Sequence, residues 1–295
     1  MTRRLEGKPV AESLVAEFAS RLEKGRDRGW PTPILASVHI GEKTPFSVYL
    51  KRQQREAERF GIEVRSVSLA DGLTQDGLET TLRNLDGDPA VDGVLLQHPL
   101  PEPLDFFRAV GTLSAEKDVD GVSAASLGRL TQERPLQVPA VARAALSICR
   151  HYEIPLAGLP VTVVGRSPTV GIPLSLLLVA KGAGADATVT VAHSRTRDLK
   201  VALEGASVIF SCAGVPGLLD RSNVPRKTSV IDVGLSTVPD PSRPSGMRAA
   251  GDTAADLEGW VDQWTPVPGG VGPVTVAELM ANVLRAWEWR RGGGP

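Results

Sequence analysis

Three side chains in the first half of the chain, Tyr49, Gln97 and Asp120, are of the types that hold a flat heterocycle bearing donor groups. An aromatic ring stacks, an amide both donates and accepts, and a carboxylate accepts paired N–H bonds. Each also has a plainer reading: Tyr49 as the core face of an amphipathic helix, Gln97 as a strand-end hydrogen bonder, Asp120 as a turn former. In the second half, "VTVVGRSPTVGIP" reads as strand, turn and helix, with Gly165 and Gly171 flanking the turn. Backbone N–H groups of such a turn, which here holds Arg166 and Ser167, face a phosphate at the helix N-terminus. The spacing is not G-x-G-x-x-G, so a purely structural turn with surface arginines stays open as an alternative. The context adds weight, because the next strand ends in "HSRT", near the point where a dinucleotide fold meets the adenosine ribose. An NAD site tends to place a carboxylate there. Ser194 and Arg195 instead offer a hydroxyl and a cation suited to a 2′-phosphate, and Arg166 adds a second positive charge. The cofactor implied is NADP.

The elements that must position these residues alternate between helical and strand periodicity, which predicts an α/β fold. Residues 8–28 read as a helix and "PILASVHI" as a strand. Residues 45–60 read as a helix with Thr44 as N-cap, Pro45 at its first position and Gly61 past its end. "EVRSVSL" is a strand, 75–85 a helix, and "GVLLQ" a buried strand that delivers Gln97 to the Pro-rich loop "HPLPEP". "DVDGVSAASLGRL" reads as mostly loop, and a helix spans about 140–152. Then come "PVTVVG", "ATVTVAH", "SVIFSCA" and "SVIDVG", short and Val/Ile-rich as parallel strands are. This half has the pattern of a doubly wound, Rossmann-like nucleotide-binding domain. The stretch 237–259 is weakly patterned and reads as a surface excursion. Thr275 with Glu278 predicts a capping box for a last helix over 276–290.

Composition narrows the class. A chain of 295 residues, 42% hydrophobic, is long enough for two domains. With 33 basic against 34 acidic residues there is no electrostatic case for a nucleic-acid or anionic-membrane partner. The longest apolar run, "LSLLLVA", is too short to span a bilayer, and no secretory leader is visible, so a cytoplasmic protein is expected. Cys149 and Cys212 are too few for a disulfide framework or a zinc site, and no metal is expected.

The ordered set "DGVLLQHPLP", "EKDVDG", "VVGRSPTVGIP", "HSRT", "GDT" and "TPVPGGVGPVT" resembles the bifunctional methylenetetrahydrofolate dehydrogenase/methenyltetrahydrofolate cyclohydrolase family over nearly the whole chain. The resemblance implies a folate-binding catalytic domain over 1–140, rejoined by the C-terminal helix 275–295, and an NADP-binding Rossmann-like domain over 141–274. It further implies a folate cleft between two α/β domains and a homodimer. Its chemistry is hydride transfer from the methylene bridge of 5,10-methylenetetrahydrofolate to NADP⁺, followed by hydrolysis of the methenyl cation to 10-formyltetrahydrofolate. By position, Tyr49 matches the tyrosine that stacks on the pterin, Gln97 the glutamine beside the reacting carbon, and Asp120 the aspartate that grips the pterin edge. Pro268, Gly269 and Gly270 match the loop whose backbone approaches the substrate, while Arg166, Ser194 and Arg195 fall on the NADP-phosphate positions.

The departures from the family pattern lie on the folate side. The family writes Ser-x-x-Tyr-x-x-x-Lys along its helix; this chain has Phe46 at the serine and Gln53 at the lysine, on the same helix face as Tyr49. Val141, in "PAVA", stands at the family's threonine, and Ser126 where its motif has asparagine. A buried lysine whose pKa is lowered can exchange protons near neutrality, whereas glutamine can only hydrogen-bond. The expectation is an NADP-dependent dehydrogenase with weak or absent cyclohydrolase activity. The alternatives are a fully bifunctional enzyme using a substitute base, such as Glu56 or a water held by Gln53 and Gln97, or a specialised paralogue acting on or merely binding another folate or pterin.

Overall fold

β-Branched runs become the strands and the charged, 3.6-periodic stretches between them the helices. The computed structural model describes residues 2–41, 47–182, 185–243 and 245–292, except for the side chains of residues 47–49 and 52. In chain order the first half contains β1 (Arg3–Arg4), α1 (Gly7–Asp27), β2 (Ile34–Ile40), α2 (Ser47–Arg59), β3 (Glu63–Leu69), α3 (Gln75–Gly87), β4 (Gly93–Leu96), α4 (Phe106–Val110) and α5 (Ala124–Thr131). The second contains α6 (Ala140–His151), β5 (Pro160–Val164), α7 (Gly171–Val179), β6 (Thr188–Ala192), α8 (Leu199–Leu203), β7 (Val208–Ser211), β8 (Ser229–Asp232), β9 (Ser236–Pro239), β10 (Met247–Ala250), β11 (Gln263–Trp264) and α9 (Val271–Trp289). No described helix is long and apolar enough to cross a membrane. Packing divides the chain into Ser13–Ala140 with Val276–Pro295, and Met1–Glu12 with Val141–Thr275.

In the first of these units β3, β2 and β4 form a parallel sheet in that order. Its residues alternate between two faces. Ala36, Val38, Val94 and Leu96 join Leu78 and Leu82 of α3 and Phe106, Ala109 and Val110 of α4 in one apolar core. Ser37, His39 and Gln97 occupy the opposite parity, which leaves polar groups on the other face. The end of α9 is anchored here by polar groups as well as by Trp287. That ring is fully buried, and its indole N–H donates to the Pro31 carbonyl at 2.8 Å. Buried Asp92 receives Arg290 and Arg291 and accepts from the Ile34 amide, fixing the start of β2.

The other unit is a six-stranded parallel sheet in the order β1-β11-β8-β7-β5-β6. Residues 1–12 belong with it rather than with 13–140, since β1 pairs with β11 and the Leu5 amide donates to the Trp264 carbonyl.

Three local expectations change. "DVDGVSAASLGRL" contains α5, which Ser123 caps by accepting from the Ser126 amide at 3.2 Å. Within 237–259, β9 and β10 form an antiparallel hairpin, and Asp252 beyond it is fully buried. The last helix begins at Val271, and Thr275 does not cap it: its hydroxyl donates to the Val271 carbonyl one turn back. Thr44, Pro45 and Phe46 lie outside the described residues, as does the Tyr49 side chain, although Tyr49 is on α2.

Candidate active site and cofactor pocket

On the polar face of the three-stranded sheet, the Ser37 hydroxyl accepts from Gln97 Nε2 at 3.0 Å and donates to Gln53 Oε1 at 3.2 Å. Gln97 Nε2 also reaches Gln53 Oε1 at 3.3 Å. Two of the predicted residues are thus brought together, and all three members of the cluster are buried. Every atom in it is neutral. Gln53 spends its carbonyl on this contact, while its Nε2 is buried with no partner among the described residues. Lys51, two positions earlier, is exposed, as a helix requires of residues nearly half a turn apart. Glu56 is paired with Arg59 at 2.9 Å. Lys117 is buried but its ammonium donates to the carbonyls of Leu85 and Asp88. Ser37 went unnoticed in the sequence because a lone serine in a strand carries no signal.

Asp120 follows from the neighbouring "KDVDG" loop. Asp118, not Asp120, builds that loop: it accepts from the Gly121 and Ser123 amides and from the Ser126 hydroxyl at 2.7 Å. Ser126, at the position where the family motif has asparagine, therefore points its hydroxyl at Asp118. Asn282 of α9 clamps the same loop from behind by donating to the Val119 and Val138 carbonyls. Asp120 keeps its carboxyl free of this scaffolding. Burial, with a smaller push from Asp118, raises its pKa to about 7. A ligand that donates paired N–H bonds would draw it back toward the ionised form.

In the six-stranded unit, a cavity of about 470 Å³ lies where β5, β6 and β7 end. Gly165, Arg166, Ser167 and Ser194 line it, with Thr196 and Cys212. Gly165 has φ +131, and a Cβ there would lie 2.5 Å from the Cys212 carbonyl oxygen, so only glycine lets the turn close on the neighbouring strand end. The Ser167 hydroxyl bonds Thr169 Oγ1 at 2.8 Å, and Gly171 opens α7. After β6 the turn is preset: the His193 amide donates to Thr196 Oγ1, and the Arg195 amide donates to His193 Nδ1. Arg166, Ser194 and Arg195 are exposed. Cys212 is a poor nucleophile here, because burial and two nearby aspartates push its thiol pKa up.

The "GDT" motif explains why the pocket wall stands where it does. Asp252 accepts from the Ser211 hydroxyl and from the Ala213, Gly214 and Val215 amides. It moulds the loop after β7. Asp232 accepts in turn from the Gly234, Asp252 and Thr253 amides and the Thr253 hydroxyl; burial raises its pKa to about 6. Neither aspartate had been assigned a role from sequence. The Pro268–Gly270 loop follows β11: the peptide before Pro268 is cis, and the Gly7 amide donates to the Gly269 carbonyl at 2.7 Å. A Cβ on Gly7 would collide with the Gly270 carbonyl oxygen. Val141 is half-buried at the start of α6.

A parallel sheet with a glycine turn, a hydroxyl-and-cation turn after the next strand and a cavity between them defines a dinucleotide-dependent α/β enzyme. Residues 139–291 match the Tetrahydrofolate dehydrogenase/cyclohydrolase, NAD(P)-binding domain, and residues 5–120 match its catalytic domain. The chain belongs to the tetrahydrofolate dehydrogenase/cyclohydrolase family. It is 37% identical over 290 residues to the Bifunctional protein FolD of Chloroflexus aggregans, covering 98% of this chain and 99% of that one. The bifunctional 5,10-methylenetetrahydrofolate dehydrogenase/cyclohydrolase of Thermoplasma acidophilum superposes with a TM-score of 0.88 at 32% identity, covering 98% and 100% of the two chains. The dehydrogenase-cyclohydrolase of Trypanosoma brucei, solved with NADP and an inhibitor, superposes with a TM-score of 0.89 at 32% identity, covering 98% of each.

Proposed function

We propose that this enzyme oxidises 5,10-methylenetetrahydrofolate with NADP⁺ and hydrolyses the methenyl product only slowly. The observation that carries the second half is Gln53: buried, neutral, and with its carbonyl committed to Ser37 and Gln97 where the family resemblance implies a lysine. General acid–base assistance is worth ~10²–10⁴-fold. Hydride transfer depends mainly on alignment, which Gln97 and the pterin-facing groups still supply.

The cofactor pocket fits an adenosine ribose carrying a 2′-phosphate. Its volume lies in the range of small-molecule sites, Gly165 contributes to its lining, and Arg166 and Ser194 offer a cation and a hydroxyl there, with Arg195 the next residue on the exposed turn. When bound, the nicotinamide is the hydride acceptor. Asp120, titrating near 7, receives the N–H edge of the pterin, and Tyr49 its face. Pro268, Gly269 and Gly270 are assigned to backbone contact with the folate, with Phe46 and Val141 lining the same substrate site.

Full bifunctionality is the second reading, favoured by the relatives' names. One assay separates the two: the purified chain is given methylenetetrahydrofolate and NADP⁺ to follow NADPH, then methenyltetrahydrofolate alone to follow ring opening. No NADPH sinks the dehydrogenase assignment. Ring opening as fast as oxidation, unimproved by Gln53→Lys, sinks the role given to Gln53.

A further inference from the structure

Two buried polar atoms, one in the Gln53 cluster and one on the same sheet face beside it, are left open. One is Gln53 Nε2. The other is Nδ1 of His39, which is buried, with 9% of the residue exposed, and has no partner among the described residues. His39 follows Ser37 by two residues on β2, so both project from the same face of the sheet. The parallel register pairs Val38 with Leu96, and the Gln97 amide donates to the Val38 carbonyl at 2.8 Å. One step further along this register, His39 lies beside Gln97, at the carboxyl end of the strands where open α/β sheets bind ligands. From β3 its partner in register is Ser68; on the β4 side the paired register ends at Val38 and Leu96, with Gln97 the next residue, and the α2 residue bonded to Gln97 is Gln53. None of these side chains ionises. An unpaired imidazole nitrogen in such a place costs stability unless something binds it.

We infer that His39 is the proton acceptor for the hydrolytic half-reaction, taking the part that the family resemblance gives to the lysine at position 53. This rests on the folate reading above. Gln53 Nε2 and His39 Nδ1 are a donor and an acceptor, the pair needed to hold and polarise one water. The water oxygen bonds to the cationic bridge carbon while one O–H bond breaks and its proton passes to His39 Nδ1. The carbon–N5 bond then breaks with its electron pair going to nitrogen, which takes up a proton as the new hydroxyl loses its own to become the formyl carbonyl. One water is consumed and one proton released.

The experiment compares ring opening of methenyltetrahydrofolate with NADPH formation from methylenetetrahydrofolate in the same preparations. His39→Val is expected to lower the ratio of hydrolysis to oxidation at least about tenfold. His39→Asn, which keeps a hydrogen-bonding atom but no base, is expected to do the same and guards against a packing defect. Gln53→Lys added to His39→Val is expected to restore the ratio, since an amine then supplies the proton acceptor. An unchanged ratio in both single variants, a double variant that does not recover, or a wild type with no measurable ring opening overturns the inference. Failure of the folate reading is a separate result: it is the absence of NADPH formation in the wild type.

Discussion

The cofactor pocket and the Gln53 cluster treat polar atoms in opposite ways. Beside the pocket two buried aspartates are fully used: Asp252 accepts four hydrogen bonds and Asp232 accepts four more, all from the loops they shape. In the cluster Ser37, Gln53 and Gln97 carry no charge, and Gln53 and the adjacent His39 each keep an atom with no partner among the described residues. Saturated networks fix geometry; unsaturated ones are where a ligand or a water has something to gain. The contrast separates the residues that hold the loops in shape from those to which we assign the chemistry.

The largest effect should come from breaking the saturated side. Asp252→Ala strands four donors at once and is expected to lower unfolding free energy by about 3 kcal/mol or more in urea titration, with loss of NADP⁺ binding. A loss below about 1 kcal/mol would mean the loop is held by something else. On the unsaturated side, Gln53→Lys should speed ring opening roughly 10²-fold while changing oxidation far less, as measured by the two absorbance assays. Arg195→Ala should raise the KM for NADP⁺ about tenfold and shift that for NAD⁺ much less, because only the former carries the 2′-phosphate. The smallest expected effect concerns Asp120. Its folded pKa of about 7 lies above the unfolded value of 3.8, so the folded state binds the proton more tightly. Its contribution is therefore favourable at low pH and is lost as pH rises from about 4 through about 7. Asp120→Asn should leave stability near pH 4 little changed and raise it at pH 8 by the order of 1 kcal/mol, read from urea midpoints at the two pH values.

What the sequence made legible was whatever had a period or a neighbour. The strands 160–164, 188–192, 208–211 and 229–232 announced themselves through Val and Ile, and the glycine turn through its place between strand and helix. Where small residues dominate, the reading failed: "SAASLGRL" has neither a strong apolar stripe nor a charge pattern, although Ser123 stood there as a capping signal. The Thr275 and Glu278 pair mimicked a capping box because the spacing is the same inside a helix as at its start. Asp232 and Asp252 were invisible as partners, being joined only by the fold. Gln53 and Gln97 could be set side by side from the family pattern, but Ser37, the hydroxyl that joins them, could not. His39 had no motif at all; its significance lies in a missing bond, which no sequence displays.

The meeting of Gly7 with the Gly269–Gly270 loop has a consequence for how this protein can vary. Even the smallest side chain at position 7 would press on the Gly270 carbonyl, so the opening residues of α1 act as a mechanical stop for a segment near the other end of the chain. If that loop contacts folate as proposed, an alanine at position 7 would change the approach distance without touching any residue that chemistry would nominate. Libraries built only around the reacting groups would overlook that position, and a screen for altered substrate size is where it should surface.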